Sequence, residues 1–443
     1  MSARLRRSRF VSPFVWYRFS WFRTPLTIVV LLVFGVGVSF LRVPSALYDY
    51  VWAEDLGLFL REATIYGPWN VLVEGYAGYQ HLVPRIMTAL IVNVFPLRWY
   101  AVAVFVACAV VVGLVVVAVY WLARDLVPWT PARLVLALIP AILPLSAEEV
   151  LGNMANLHTY MVWLVLWLVL ARHRSWAGAS FWAVIAFLAI MTEIQAIPLL
   201  LLLPVVLWRP DPRSWPTAIV LAIGAAWQII TALTVERTID EPYTYTLPAL
   251  GKGWLINVVA PLVFSKPDNL RAQLVERGFL VPVLILLPFL VAFVLILIRG
   301  SGYDRLLGIT VAVISGGLYA GCVVLNNFGA VEFERFSHSD WAATTAIFNV
   351  RYGVAAQFFL AALIPIAANL LRQGSRAGPG AQQHPVKVPH VSQSESSPPL
   401  LPIPLLGRVR ALMTRVVSWA MLIVLAGTLL TAGQFGEKPR RAN

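Results

Sequence analysis

Long apolar runs, separated by short basic turns and a few long polar stretches, dominate the chain. Runs at 25–42, 98–122, 132–146, 156–171, 176–192, 194–208, 214–234, 279–298, 306–325, 351–371 and 411–432 predict about eleven transmembrane helices, since a straight span needs about 20 apolar residues. Those between 132 and 208 are short for a straight span. Pro140, Pro144, Pro198 and Pro204 predict broken or kinked helices there, packed inside a bundle. The expected fold class is therefore all-α, a polytopic membrane protein. The first run follows Arg4, Arg6, Arg7 and Arg9. It is longer than the apolar region of a signal peptide and no small-x-small site follows it, so an uncleaved anchor is expected.

Composition agrees. The 443 residues are 59% hydrophobic and only 12% charged, with a mean hydropathy of +0.77. So little charge cannot coat a water-soluble globule, which excludes an ordinary soluble enzyme and a disordered chain. Cys108 and Cys322 both lie in apolar runs, so they form neither a disulfide framework nor a metal cluster. Several of the 17 tryptophans stand at run ends, where an interfacial belt would put them.

The net charge of +13 reads as topology rather than as affinity for nucleic acid. Lys and Arg concentrate before residue 24, in the short turns RDLVPWTPAR, RHRS, RPDPR and RGSGYDR, and from Arg372 to Arg415. Acidic residues concentrate in the other loops. The positive-inside rule then puts the N-terminus in the cytoplasm of a plasma (inner) membrane and the long loops 43–97, 235–278 and 326–350 outside. The expected organisation is a basic N-terminus (1–24), a membrane module (25–372), a Gly-, Pro-, Ser- and Gln-rich disordered cytoplasmic linker (373–407), and a last helix with its tail (408–443).

The chemistry is expected in the outer loops. In YDYVWAEDLGLFLREATIYGPW, Leu56, Phe59, Leu60 and Ala63 fall at i, i+3, i+4 and i+7, which predicts a short amphipathic helix on the membrane surface. It would carry Glu54 and Asp55 at its N-terminal end, about 100° apart. A pair of carboxylates there also simply suits the helix dipole. A second juxtamembrane helix is expected in GYQHLVPRIMTALIVNVFPLRW, with Leu82, Ile86, Leu90 and Val94 as its apolar stripe. His81, Arg85 and Thr88 share another face, where a His and an Arg one turn apart suit a lipid phosphate; snorkelling of Arg85 is the plainer alternative.

This layout resembles the GT-C superfamily of integral-membrane glycosyltransferases, which use polyprenyl-phosphate sugars. One transmembrane helix is followed by a long outer loop holding an acidic pair, here Glu54-Asp55, between two juxtamembrane helices. Arg351-Tyr352, at the start of the tenth run, is similar to an RY element found late in many such enzymes. The resemblance implies a GT-C-like fold and transfer, with inversion, from a polyprenyl-phosphate sugar donor to an extracytoplasmic glycan, lipid or cell-wall acceptor. Asp55, with Glu54, would be the general base. His81, Arg85, Arg351 and Tyr352 would hold the donor phosphate. Some families of this type use a divalent cation (Mg or Mn) and others do not, and the sequence leaves that open.

Glu148, Glu149, Asn153, Asn156 and His158 crowd SAEEVLGNMANLHTY. Asn156 suits a helix cap, and the group as a whole exceeds capping need, so it is a candidate acceptor pocket. Glu193, ending a span in MTEIQ, joins it as a carboxylate at the edge of hydrocarbon. Arg335, His338 and Asp340 in EFERFSHSDW are weaker candidates. There is no phosphate-binding Gly-rich loop with a Lys, no HExxH and no GxSxG, and six scattered histidines do not make a zinc site. The rival classes are a transporter or flippase of lipid-linked envelope precursors, which would carry ionisable groups mid-span, and a non-catalytic envelope-assembly partner with a dead acidic pair.

Overall fold

The computed structural model describes residues 14–144, 146–208, 211–237, 245–264, 266–326, 350–374 and 405–432. The expected 375–404 part of the linker, most of the 326–350 loop with Arg335, His338 and Asp340, the first 13 residues and the tail from 433 lie outside them, as does the side chain of Glu148.

The described residues are nearly all helical, and seven helices are long and apolar enough to cross a membrane. They are Pro25–Arg42, Leu97–Asp125, Pro212–Thr234, Leu280–Arg299, Gly302–Leu325, Arg351–Gln373 and Leu412–Thr431, and they match seven of the expected runs. The runs expected between 132 and 208 form the shorter apolar helices Thr130–Ile142, Ala155–Leu170, Trp176–Ile190 and Ile194–Leu207. Prolines account for the first and last of these, through Pro140 and Pro144 in or after Thr130–Ile142 and Pro198 and Pro204 within Ile194–Leu207. Leu143, just before Pro144, is already extended at φ −62°, ψ 131°, the conformation a following proline imposes.

Two helices form the centre. Arg351–Gln373 has 94% of its apolar window buried, against 22% for Leu280–Arg299 and Leu412–Thr431 at the periphery. In His158–Leu170 every residue after His158 is buried, which is what a helix apolar all round requires. The broken end of Thr130–Ile142 leaves carbonyls that water cannot reach. Arg42, 1% exposed at the end of the first helix, satisfies them: its Nη1 donates to Ala141 O (2.7 Å) and Ser146 Oγ (3.1 Å), and its Nη2 to Leu143 O and Pro144 O.

Segment 43–97 departs from a purely helical chain. A two-stranded antiparallel hairpin pairs Gly75 with Gln80 and Tyr76 with Tyr79. Its turn residues Ala77 (φ 49°) and Gly78 (φ 82°) are both left-handed, the requirement of a two-residue type I′ turn. Gln80 fixes the hairpin to the Trp215–Thr234 helix: its N–H donates to Gln228 Oε1 (2.8 Å) and its Nε2 to Thr231 Oγ1 (2.9 Å).

The two juxtamembrane helices are present but rotated from expectation. The first opens as a π-helix, Asp55–Leu60, before Arg61–Tyr66. The wider turn puts Asp55, Phe59 and Ala63 on the buried line and leaves Leu56 52% exposed. The second, Leu82–Val94, buries its polar face, with His81, Arg85 and Thr88 all 3% exposed or less, and turns Leu90 and Val94 outward. With Phe95, Leu97 and Trp99 also exposed, that apolar stripe suits contact with lipid.

Candidate functional site

A cavity of about 170 Å3 opens at the end of the bundle that carries segment 43–97. An engineered cavity of about 150 Å3 holds one benzene ring, so this space suits a single six-membered ring. Glu54 stands in its wall beside the hairpin residues Tyr76, Tyr79 and His81. Asn156 and His158 reach it from the start of the His158–Leu170 helix, and Glu193 and Gln195 from the start of Ile194–Leu202. Arg237 follows the Trp215–Thr234 helix, Cys322 sits in the last turn of Gly302–Leu325 with Asn326 just beyond it, and Arg351-Tyr352 close the ring.

Glu193 is the most constrained wall residue. Its side chain is 3% exposed. Oε1 accepts from the backbone N–H of Gln195 at 2.6 Å, capping the following 3₁₀ helix, and Oε2 pairs with His158 Nδ1. Tyr79 lies against His81 with ring centroids 4.0 Å apart, and edge-on to His158 at 6.4 Å. His81 Nε2 is 3.3 Å from Tyr76 O, and Nδ1 is buried without a partner. Burial drives His81 down to about 3, helped by the nearby His158 and Arg85, so its ring is neutral. His81, expected among the residues that hold the donor phosphate, stands in the cavity wall as a neutral ring.

Arg351 is held from two sides. Its Nη1 is 3.2 Å from Glu149 Oε2, and its Nη2 donates to Tyr352 OH at 2.9 Å with the guanidinium over the Tyr352 ring. The backbone of the turn is pressed against its neighbour: a Cβ on Gly353 would lie 2.0 Å from Asn257 O. Arg237 donates to Asn326 Oδ1 at 2.9 Å. Two guanidinium groups thus border one cavity.

Four expected site residues lie outside the cavity wall: Glu149, which braces Arg351, and Asp55, Arg85 and Asn153. Asp55 is fully buried outside the cavity wall. Its Oδ2 accepts from Met154 N (2.8 Å) and its Oδ1 from Ala155 N (2.9 Å). Burial pushes this carboxyl up to about 7, the two backbone N–H groups resist that rise, and Glu54 adds to it. Both oxygens being occupied, Asp55 holds the turn that delivers Asn156 and His158 to the cavity. Arg85 does not converge with Arg351 but pairs with Glu62 Oε2 at 2.7 Å, 1% exposed, with Phe59 beneath it. Asn153 is buried and accepts from Asn156 N at 3.2 Å, so it is the cap of this turn, whereas Asn156 bonds Glu149 O at 2.9 Å and stays on the cavity.

The sequence did not single out Tyr76, Tyr79, Gln195, Arg237, Cys322 or Asn326 for this site. The hairpin tyrosines carried a usable signal, a Gly-containing turn between two aromatic residues (Tyr-Ala-Gly-Tyr). The remaining four are brought in by long-range packing. Among the described residues no group of three or more His, Cys, Asp or Glu is placed to hold a metal ion. Comparison with protein-family models, curated protein sequences and solved structures gives no match to this chain.

Proposed function

We propose that the protein is a membrane glycosyltransferase that takes one sugar from a polyprenyl-phosphate donor and passes it to an extracytoplasmic lipid, glycan or cell-wall acceptor. The observation that carries this is that Glu54, Arg237 and Arg351 line one single-ring cavity whose wall residue His81 opens a helix exposing Leu90 and Val94. A polyprenyl-phosphate sugar needs these three surroundings together: lipid for the tail, cations for the phosphate, and polar groups for the ring.

The polyprenyl tail lies along Leu90, Val94 and Phe95. Arg351, braced by Glu149 and Tyr352, receives the phosphate with Arg237 and stabilises the charge that grows on it as it leaves. Glu54 is the member of the acidic pair that faces the substrate, and its carboxylate stabilises the positive charge that develops at the anomeric carbon. Tyr76 and Tyr79 offer flat aromatic faces to the sugar. The active site faces outward in this scheme, where nucleotide sugars are absent and a lipid-borne donor is required.

The test uses membranes containing the full chain, which also supply native acceptors. Labelled farnesyl-phosphate glucose, mannose, galactose and arabinose are offered, and release of farnesyl phosphate is measured. Glu54→Gln should lower release at least about a hundredfold, a single electrostatic catalytic group being worth that much, with unchanged thermal stability. Release by Glu54→Gln equal to wild type would refute the assignment of Glu54. A wild type that moves no sugar but carries donor across vesicles would point instead to a flippase.

A further inference from the structure

Outside the acidic pair and the two arginines, one cluster has a built geometry with no role so far: the His158–Glu193 pair. A carboxylate can only accept, so the hydrogen bond from His158 to Glu193 Oε2 fixes the proton on Nδ1. Nε2, across the ring, is then left with its lone pair. His158 keeps 23% of its side chain exposed in the cavity wall, while Glu193 is 3% exposed and locked through its other oxygen to Gln195 N. This is the arrangement in which a buried carboxylate orients an imidazole, sets its tautomer and meets the charge it gains.

Asp55 is fully buried and absent from the cavity wall, its carboxylate turned to Met154 N and Ala155 N, so a hydroxyl bound in the cavity meets other groups first. His81 is also in the wall, yet its Nε2 is directed to Tyr76 O and no carboxylate partners its ring. His158 is therefore the one imidazole of the described cavity wall with a carboxylate behind it.

Resting on the glycosyltransferase function, we propose that His158 Nε2 is the general base for the acceptor hydroxyl and that Glu193 is its positioning residue. The acceptor O–H gives its proton to Nε2 as its oxygen bonds to the anomeric carbon from the face opposite the phosphate. The bond from that carbon to the phosphate oxygen breaks, and its electron pair leaves on the polyprenyl phosphate. The imidazolium is held against the Glu193 carboxylate until its proton passes to water. No oxidant or metal is needed for the balance. The titratable and charged groups that share the cavity wall with His158 are Glu54, Tyr76, Tyr79, His81, Glu193, Arg237, Cys322, Arg351 and Tyr352. Only the two glutamates favour the imidazolium, and Glu193 alone is bonded to it.

The experiment uses the full chain in native membranes with the labelled farnesyl-phosphate sugar that wild type turns over. His158→Ala should lose about 10²- to 10⁴-fold in release rate, the usual worth of a general base, and added imidazole should restore part of it. His158→Gln keeps an N–H donor for Glu193. It should unfold within a few degrees of wild type, lose release as His158→Ala does, and bind the farnesyl-phosphate donor with a Kd within about threefold of wild type. Glu193→Gln removes the charge that favours the imidazolium, so the acid limb of the kcat/KM profile should move to lower pH with a reduced plateau. Three results would overturn the proposal: release by His158→Gln within threefold of wild type, loss in His158→Ala that imidazole does not relieve, or an unmoved acid limb in Glu193→Gln. If wild type moves sugar while the His158 variants match it, only the base assignment fails. If wild type releases no farnesyl phosphate from any donor, the glycosyltransferase function fails and this role with it.

Discussion

Replacing Asp55 with Ala should destabilise the folded chain by about 2–6 kcal/mol. The change strips the acceptors from two buried backbone N–H groups, Met154 and Ala155, and each buried donor left unpaired costs about 1–3 kcal/mol. Asp55→Asn is predicted to fall between Ala and wild type. Its amide oxygen still serves one N–H, but its NH2 confronts the other, a loss of about 1–3 kcal/mol. Sequence alone places Asp55 on a surface helix with little packing to lose; its complete burial reverses that expectation. The assay is equilibrium unfolding of the full chain in mixed micelles, titrated with dodecyl sulfate and followed by tryptophan fluorescence. The required order is wild type, then Asn, then Ala. An Ala variant within about 0.5 kcal/mol of wild type, the range of an ordinary surface substitution, would refute the structural role given to this carboxylate.

Three further outcomes follow from the same geometry. Because burial raises Asp55 from 3.8 to about 7, the folded chain keeps a proton that the unfolded chain has lost. Its contribution to stability is then full below about pH 4 and fades as pH rises to about 7; the wild-type-minus-Asp55→Asn difference in unfolding free energy should show that slope. Taking the difference removes the opposite effect of His81, whose lowered value costs stability as pH falls. Arg351→Gln should raise donor KM about ten- to a hundredfold, as one charge-assisted hydrogen bond is worth about 1.5–3 kcal/mol; titration with the farnesyl-phosphate donor checks it. Gly353→Ala puts a Cβ 2.0 Å from Asn257 O, a backbone atom that cannot swing aside, so the Arg351-Tyr352 turn must shift and release should fall as in Arg351→Gln.

Much of the fold was legible because apolar length is a local property. Seven of the expected spans coincide with helices long enough to cross a bilayer, and the prolines flagged the breaks between 132 and 208. Which face of a juxtamembrane helix turns inward was not legible. Leu82, Ile86, Leu90 and Val94 make a regular stripe, but only its C-terminal half, Leu90 and Val94, is exposed; Leu82 is buried, and the polar residues His81, Arg85 and Thr88 went inward. The π-turn at Asp55–Leu60 left no mark in the spacing, and it divided the acidic pair, with Glu54 on the cavity and Asp55 beneath it. Arg85 was legible as a cation but not as the partner of Glu62, since that pairing joins two helices across the hairpin. Of the residues grouped as an acceptor pocket, Asn156, His158 and Glu193 do share the cavity, Glu149 braces Arg351, and Asn153 caps the turn.

Donor turnover by wild type beside Glu54→Gln and Asp55→Asn tests the division of the acidic pair most directly. Membranes holding each protein at equal folded amount are given the farnesyl-phosphate sugar panel, and released farnesyl phosphate is counted per folded molecule. The predicted result is release by wild type, a loss of at least about a hundredfold in Glu54→Gln, and an activity per folded molecule in Asp55→Asn that stays well above that of Glu54→Gln. Asp55→Asn as dead as a catalytic knockout while fully stable, with Glu54→Gln active, would contradict it.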